Sequence, residues 1–382
     1  MRRDLYEPEH ELFRDTVAGF MASEVVPHRD RWETEGKVDK EMFRRAGQQG
    51  LLGMAIPEEF GGGGVADFRF NAVIGEEVMR ADVMGAGMCI TLHNDVALPY
   101  FLHLANDEQK ERWLPGLASG ASMAAIAMTE PGAGSDLAGI ATTAIRDGDD
   151  YIVNGSKTFI TNGINSDVVI TAVKTDPTQR HAGMSLLVIE EGMEGFSRGR
   201  NLEKIGLHAQ DTAELFFQDL RVPVGNRLGE EGQGFYQLVR NLPQERLSLA
   251  VGSLAHAQEA FLWTMDYILE RKAFGSAIGH NQAVKHRMAE LRTELDVTQT
   301  FLDRQVLLLN EGALTAEDAA KAKWWATELE KRVIDSCLQF FGGWGYMEEY
   351  PIARAYRDAR VQTIYGGTTE IMKEIIGKSL GL

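Results

Sequence analysis

The hydrophobic period of this chain changes twice, and that limits the folds open to it. Over residues 1–122 apolar side chains recur near helical spacing: Leu12, Val17, Phe20 and Met21 in one segment, Met42, Ala46, Leu51 and Leu52 in another. Over residues 123–228 the runs become short and aliphatic or β-branched, at Asp167–Val173, Met184–Glu190 and Glu214–Asp219, with Gly, Asn and Asp between them. Tyr151-Ile152-Val153-Asn154-Gly155-Ser156-Lys157 reads as a strand running into a turn. From residue 229 to 382 the helical period returns in Leu247, Val251, Leu254, Gln258, Phe261, Met265 and Ile268, and further helices follow at 281–310, 316–340 and 351–360. The expectation is an α+β chain of three units: an N-terminal α-helical domain (1–122), a middle β-barrel or sandwich domain (123–228) and a C-terminal four-helix bundle (229–382).

Composition narrows the function classes. With 382 residues, 44% hydrophobic, the chain can bury a sizeable core. Its formal net charge of −17 opposes non-specific binding to nucleic acid or anionic membrane, so an anionic ligand needs a local basic patch. No apolar run approaches the ~18 residues of a membrane span. The start, MRRDLYEPEHELF, carries four acidic residues and no apolar core of a leader, which predicts a cytoplasmic protein. Cys89 and Cys337 have no metal-ligand spacing and read as buried free thiols. The histidines are scattered, so no metal is expected. Gly61–Gly64 is a loop without the Lys-Ser/Thr of a phosphate-binding P-loop.

Four strings concentrate the chemistry. Met128-Thr129-Glu130-Pro131-Gly132-Ala133-Gly134-Ser135-Asp136 follows an apolar strand, and its glycines let main-chain N–H groups turn toward a ligand. Lys157-Thr158-Phe159-Ile160-Thr161-Asn162-Gly163 is a second. Arg271-Lys272-Ala273-Phe274-Gly275, with Asn281 and Gln282 opening the next helix, and Gln339-Phe340-Phe341-Gly342-Gly343 make a third group. The fourth is Ile364-Tyr365-Gly366-Gly367-Thr368-Thr369-Glu370, paired with Leu242-Pro243-Gln244-Glu245-Arg246-Leu247 upstream.

In this order, over essentially the whole chain, the strings resemble the acyl-CoA dehydrogenase family, nearest its long-chain branch. The resemblance implies FAD as cofactor, an acyl-CoA substrate, an electron-transfer flavoprotein as partner and a homotetramer, a dimer of dimers. It assigns flavin contacts to Met128, Thr129 and Ser135, and gives Ser135 a contact to the acyl-CoA as well. Phe159 corresponds to the aromatic shield of the flavin and Thr161 to the hydroxyl donor at its N5, where arriving hydride pushes charge into the ring. Arg271, Phe274, Gln282, Gln339 and Gly343 correspond to residues that reach a neighbouring subunit's cofactor. Thr368 and Glu370 fall among the flavin contacts; Arg246, Tyr365, Gly366 and Gly367 fall among those to acyl-CoA.

One position departs from the family. Most members carry the catalytic glutamate where this chain has Gly366. The reaction needs a carboxylate to take the α-proton of the thioester. Gly366 keeps its main-chain N–H, which can still stabilise charge on the thioester oxygen. The long-chain and isovaleryl branches place their base at the position of Glu245. Pro243 is expected to start or kink a helix there and set Glu245 in its first turn. Burial between helices and flavin would raise the Glu245 pKa and suit it to general-base work.

Three functions remain open on the sequence: a dehydrogenase making trans-2-enoyl-CoA from a long- or branched-chain acyl-CoA, a base-deficient FAD or acyl-CoA-binding subunit of a heteromeric complex, and an oxidase. Glu245 favours the first and Gly366 keeps the second alive. The length of 382 residues counts against the third, whose members are longer.

Overall fold

The computed structural model describes residues 3–382. Helix α1 (Pro8–Phe20) carries proline in its first turn, where a missing N–H costs no hydrogen bond. Then come α2 (Arg29–Glu35), α3 (Lys40–Gln48), α4 (Phe68–Arg80), α5 (Met84–Thr91), α6 (Leu98–Leu104) and α7 (Asp107–Ser119). A π-helical turn, Leu92–Ala97, joins α5 to α6. Asn106 and Gln109 bond each other's backbone N–H at the start of α7, and Gly120, at φ 71°, ends it. Val17, Phe20, Met21, Met42, Ala46, Leu51 and Leu52 join one core with Trp32 and Phe43. Leu12 does not; it is 69% exposed.

Strands follow: β1 (Ala124–Ala127), β2 (Thr143–Asp147), β3 (Asp150–Thr161), β4 (Val168–Lys174), β5 (Met184–Glu190), β6 (Phe196–Asn201), β7 (Thr212–Pro223) and β8 (Arg227–Leu228). They form one sheet in the order β6-β7-β3-β2-β4-β5-β8, with β1 beside β4. The sheet curls around an inner cluster drawn from β1 to β5 and β7, including Tyr151, Val153, Val169, Leu187 and Leu215. Its other face packs on α6 and α7 through Val168, Ile170, Phe101 and Trp113. Both faces of β4 are therefore covered, which is why Val168–Lys174 is buried throughout. Each aliphatic side chain so buried contributes roughly 1.5–3 kcal/mol.

The expected turn after Tyr151 is absent. β3 continues through Asn154-Gly155 to Thr161, with register shifts against β7 at Val153/Gly155 and Lys157/Ile160. At Gly155, φ 148°, a Cβ would lie 2.5 Å from the Thr142 hydroxyl oxygen. The glycine serves a close strand crossing inside a bulge rather than a reversal. The second bulge sets Phe159 at φ 60°.

The last section holds α8 (Gly234–Glu270), a short hairpin of β9 (Lys272–Ala273) and β10 (Ser276–Ala277), then α9 (Gln282–Asn310), α10 (Ala316–Phe341), α11 (Pro351–Ala359) and α12 (Thr369–Ser379). The three long helices share a core of Leu247, Leu254, Phe261, Leu291, Leu302, Leu329 and Val333. α11 and α12 pack on α10. Pro243 does not start α8. It lies inside the helix, and Glu245 sits about three turns in, not in the first turn. Upstream residues already bury Leu238 and Gly234, so the helix begins earlier, and proline only removes the amide that would bond back toward Val239. Cys89 and Cys337 are buried free thiols, as expected. Among the described residues no helix is long and apolar enough to cross a membrane.

Candidate active site

Three stretches far apart in sequence close around a cavity of about 260 Å³: the segment after β1, the middle of α8, and the segment before α12. Met128, Thr129, Ser135, Thr161, Glu245, Arg246, Tyr365, Gly366 and Gly367 line it, all singled out from sequence. Leu92 and Val96 of the π turn complete the wall.

Glu245 is the buried carboxyl on this wall. Tyr100 Oη donates to its Oε1 at 2.9 Å and Asn241 Nδ2 donates to the same oxygen at 3.0 Å. Burial raises its pKa, while Asn241, Tyr100 and the charge of Arg246 pull it back. A base must be ionised, so the raised pKa places loss of activity on the acidic side. Nearby, Asp95 is buried and pushed up to about 6, and accepts hydrogen bonds from Asn71 at 2.6 Å and from Ser248. Asp95 also takes Gln244 Nε2 on its backbone carbonyl at 2.9 Å. This stretch of α8 is thereby tied to the π turn.

On the same cavity, Gly366 and Gly367 have φ of 64° and 97°. Two cations hold their carbonyls: Arg246 Nε donates to Gly366 O at 3.3 Å, and Lys323 Nζ donates to Gly367 O at 2.7 Å. Lys323 is fully buried and its pKa falls to about 8, chiefly by burial.

A second buried charge supports the other wall. Lys157 Nζ donates to Glu130 Oε1 at 2.8 Å and to Met128 O at 3.1 Å. Glu130 also accepts from the amides of Ala141 and Thr142, at 2.6 and 3.0 Å. The amide of Thr158 bonds to Thr129 O at 3.0 Å. The two motif strings are one buried unit, welded by an ion pair.

Arg271 and Gly343 meet elsewhere, in an open concavity of about 490 Å³ with Tyr267, Phe340 and Trp344. Phe274 stands fully exposed at φ 52° at the tip of the β9–β10 hairpin. Gln282 and Gln339 are exposed and line neither space. Thr368 caps α12 by accepting from the amide of Ile371, and Glu370 is exposed in its first turn; neither lines the cavity. Phe159 lies beside the site, 67% exposed.

The residues present fit a flavin and a thioester. Among the described residues, Thr129, Ser135 and Thr161 give no hydroxyl hydrogen bond to the protein, and the buried Tyr365 hydroxyl has no partner. Arg271 makes no ion pair among them. Donors, an aromatic face and a free guanidinium are the chemistry that isoalloxazine and pyrophosphate need. Tyr100, Asn241 and Lys323 were not singled out from sequence. Their partners lie across the fold or belong to the cavity, and no local motif marks them.

Comparison with known proteins agrees. Models of the acyl-CoA dehydrogenase N-terminal, middle and C-terminal domains match residues 7–121, 125–220 and 232–381. The mitochondrial long-chain specific acyl-CoA dehydrogenase of Sus scrofa is 48% identical over 99% of this chain and 88% of its own length. The mitochondrial isovaleryl-CoA dehydrogenase of Pongo abelii is 36% identical over 97% of this chain and 88% of its own. A crystal structure of an acyl-CoA dehydrogenase from Geobacillus kaustophilus superposes with a TM-score of 0.96 at 48% identity, covering 99% of both chains. The chain belongs to the acyl-CoA dehydrogenase family.

Proposed function

We propose that this chain converts a long- or branched-chain acyl-CoA to its trans-2-enoyl-CoA, with Glu245 as the base, as a dimer of dimers that passes electrons to an electron-transfer flavoprotein. The observation that carries the reading is the buried Glu245 carboxyl on the cavity wall, where position 366 offers only backbone. Family membership supplies the reaction class, oxidation of a CH–CH bond with FAD. When bound, FAD supplies the acceptor for the β-hydride.

The chain's own residues do the rest. Glu245 takes the α-proton. The N–H of Gly366 stabilises the charge that grows on the thioester oxygen, and Arg246 Nε, donating to Gly366 O, ties this segment to α8. Thr129, Ser135 and Thr161 offer unspent hydroxyls for orientation. The apolar wall of Leu92, Val96, Leu242 and Leu249 keeps water from the carboxylate. Likeness to a long-chain and to an isovaleryl enzyme supports long or branched chains over short straight ones.

The test is anaerobic addition of acyl-CoAs of graded length and branching while flavin absorbance is followed. Wild type should bleach, fastest with long or branched chains. Glu245→Gln should keep its yellow colour and bleach on the order of 10²–10⁴-fold more slowly. A wild-type protein that binds FAD yet is bleached by no acyl-CoA would support the base-deficient subunit instead.

A further inference from the structure

The two hydrogen bonds on Glu245 are unevenly placed: Tyr100 and Asn241 both fall on Oε1. We propose that Tyr100 is a positioning residue for the base, holding Oε1 together with Asn241 so that Oε2 is the atom that takes the α-proton. This rests on the reading of Glu245 as the base.

Tyr100 is well made for the task. It is 2% exposed, on α6, with its ring in the core that joins Phe101, Trp113 and Leu238. The ring is held by that core, and its hydroxyl donates to Glu245 Oε1. Burial beside a carboxylate keeps the phenol protonated, so it stays a donor at working pH. Asn241 stands one turn before Glu245 on α8, and its Nδ2 also reaches Val96 O at 3.4 Å, which fixes the amide. One donor comes from α6 and one from α8, so rotation of the carboxyl breaks at least one hydrogen bond.

The chemistry then distinguishes the oxygens. An oxygen that already accepts two hydrogen bonds has spent its basicity. The proton goes to the other, and both donors remain satisfied afterwards. Little has to move when the charge disappears, which is the preorganised arrangement that proton transfer favours. Other titratable or charged groups surround Glu245. Arg246 is next to it on α8, and Tyr365 lines the same cavity. Asp95 lies on the π turn behind Ser248 and Gln244. Arg240 and His103 line a larger cavity of about 670 Å³ that Tyr100 and Asn241 also border.

The experiment compares wild type, Tyr100→Phe and Glu245→Gln as FAD-loaded enzymes, following anaerobic bleaching against pH. Phenylalanine keeps the ring and removes only the donor. Tyr100→Phe should slow bleaching roughly ten- to hundred-fold, the scale of one hydrogen bond to a charged group, with KM nearly unchanged. Its acidic limb should move to higher pH, because one interaction favouring the ionised carboxyl is gone. Tyr100→3-fluorotyrosine, a stronger donor of nearly the same shape, should move the limb to lower pH and guards against a folding defect in the first variant. If Tyr100→Phe slows bleaching with an unmoved pH limb, the hydroxyl does not act through the Glu245 carboxyl and the inference fails. A wild-type rate and profile for Tyr100→Phe, with Glu245→Gln inactive, overturns the role of Tyr100 and leaves the base standing. Wild-type bleaching by Glu245→Gln overturns the base itself.

Discussion

The cavity at Glu245 and the concavity at Arg271 are built on opposite principles. Around Glu245 three cations are buried and paired: Lys157 with Glu130, Lys323 on Gly367 O, Arg246 on Gly366 O. Around Arg271 the guanidinium is exposed and unpaired among the described residues, and the nearby hairpin holds Phe274 in solvent. The first region is finished within one chain. The second is open to solvent, and the proposed dimer of dimers would set a cofactor shared between subunits against it. Buried charges are costly unless satisfied, so the first region should be sensitive to any lost partner and the second indifferent.

That difference can be broken experimentally. Lys157→Met leaves Glu130 buried without its cation and should lower stability by about 3–5 kcal/mol, with flavin lost as both strings loosen. Urea midpoints and flavin content measure it; a shift below ~1 kcal/mol would remove the contrast. Lys323→Met removes the donor to Gly367 O and should cost about 1–3 kcal/mol, with substrate binding weakened before FAD is released, read from separate titrations.

Asp95 offers a pH test of the same buried region. Its pKa is pushed up to about 6 from an ordinary 3.8. A raised carboxyl contributes stability that is full below pH ~4 and is lost as pH rises through 6. Asp95→Asn should flatten that slope, so wild type should lose stability relative to the variant between pH 4 and 7. The smallest folding effect belongs to Phe274→Ala, within about 0.5 kcal/mol for an exposed side chain. Its consequence should appear instead as faster FAD release and weaker subunit association in light scattering. A large loss of stability at Phe274 with unchanged FAD retention would erase the distinction between the regions.

The legibility of the chain follows the same division. Elements with a clean period could be read: Met184–Glu190 is β5 as expected, and 281–310 is α9 within one residue at its start. Local signals misled where tertiary packing outvoted them. Asn154-Gly155 has turn chemistry, yet Thr142 crosses so closely that glycine is needed in the strand. Pro243 has start-signal chemistry, yet α8 begins at Gly234 because residues before it already pack. The strings that line the cavity were visible because each is contiguous. What holds them was not. Tyr100 meets Glu245 from 145 positions away, and Lys323 meets Gly367 from 44. Nothing in a tyrosine within a helical stretch, or a lysine among alanines, announces such a partner.

The central claim is that the proton acceptor sits on α8 and that position 366 contributes backbone alone. The most direct measurement is solvent deuterium uptake at the α-carbon of an acyl-CoA analogue with sulfur at the β position. Such an analogue can lose its α-proton but has no β-hydride to give. Wild type should exchange readily, and Glu245→Gln should exchange on the order of 10²–10⁴-fold more slowly while retaining FAD. Adding Gly366→Glu to that variant should restore exchange only in part. The new side chain must adopt φ 64°, and its Cβ would approach Leu249 Cδ1 to 2.6 Å, so Leu249 has to give way. Exchange by Glu245→Gln at the wild-type rate would contradict the account.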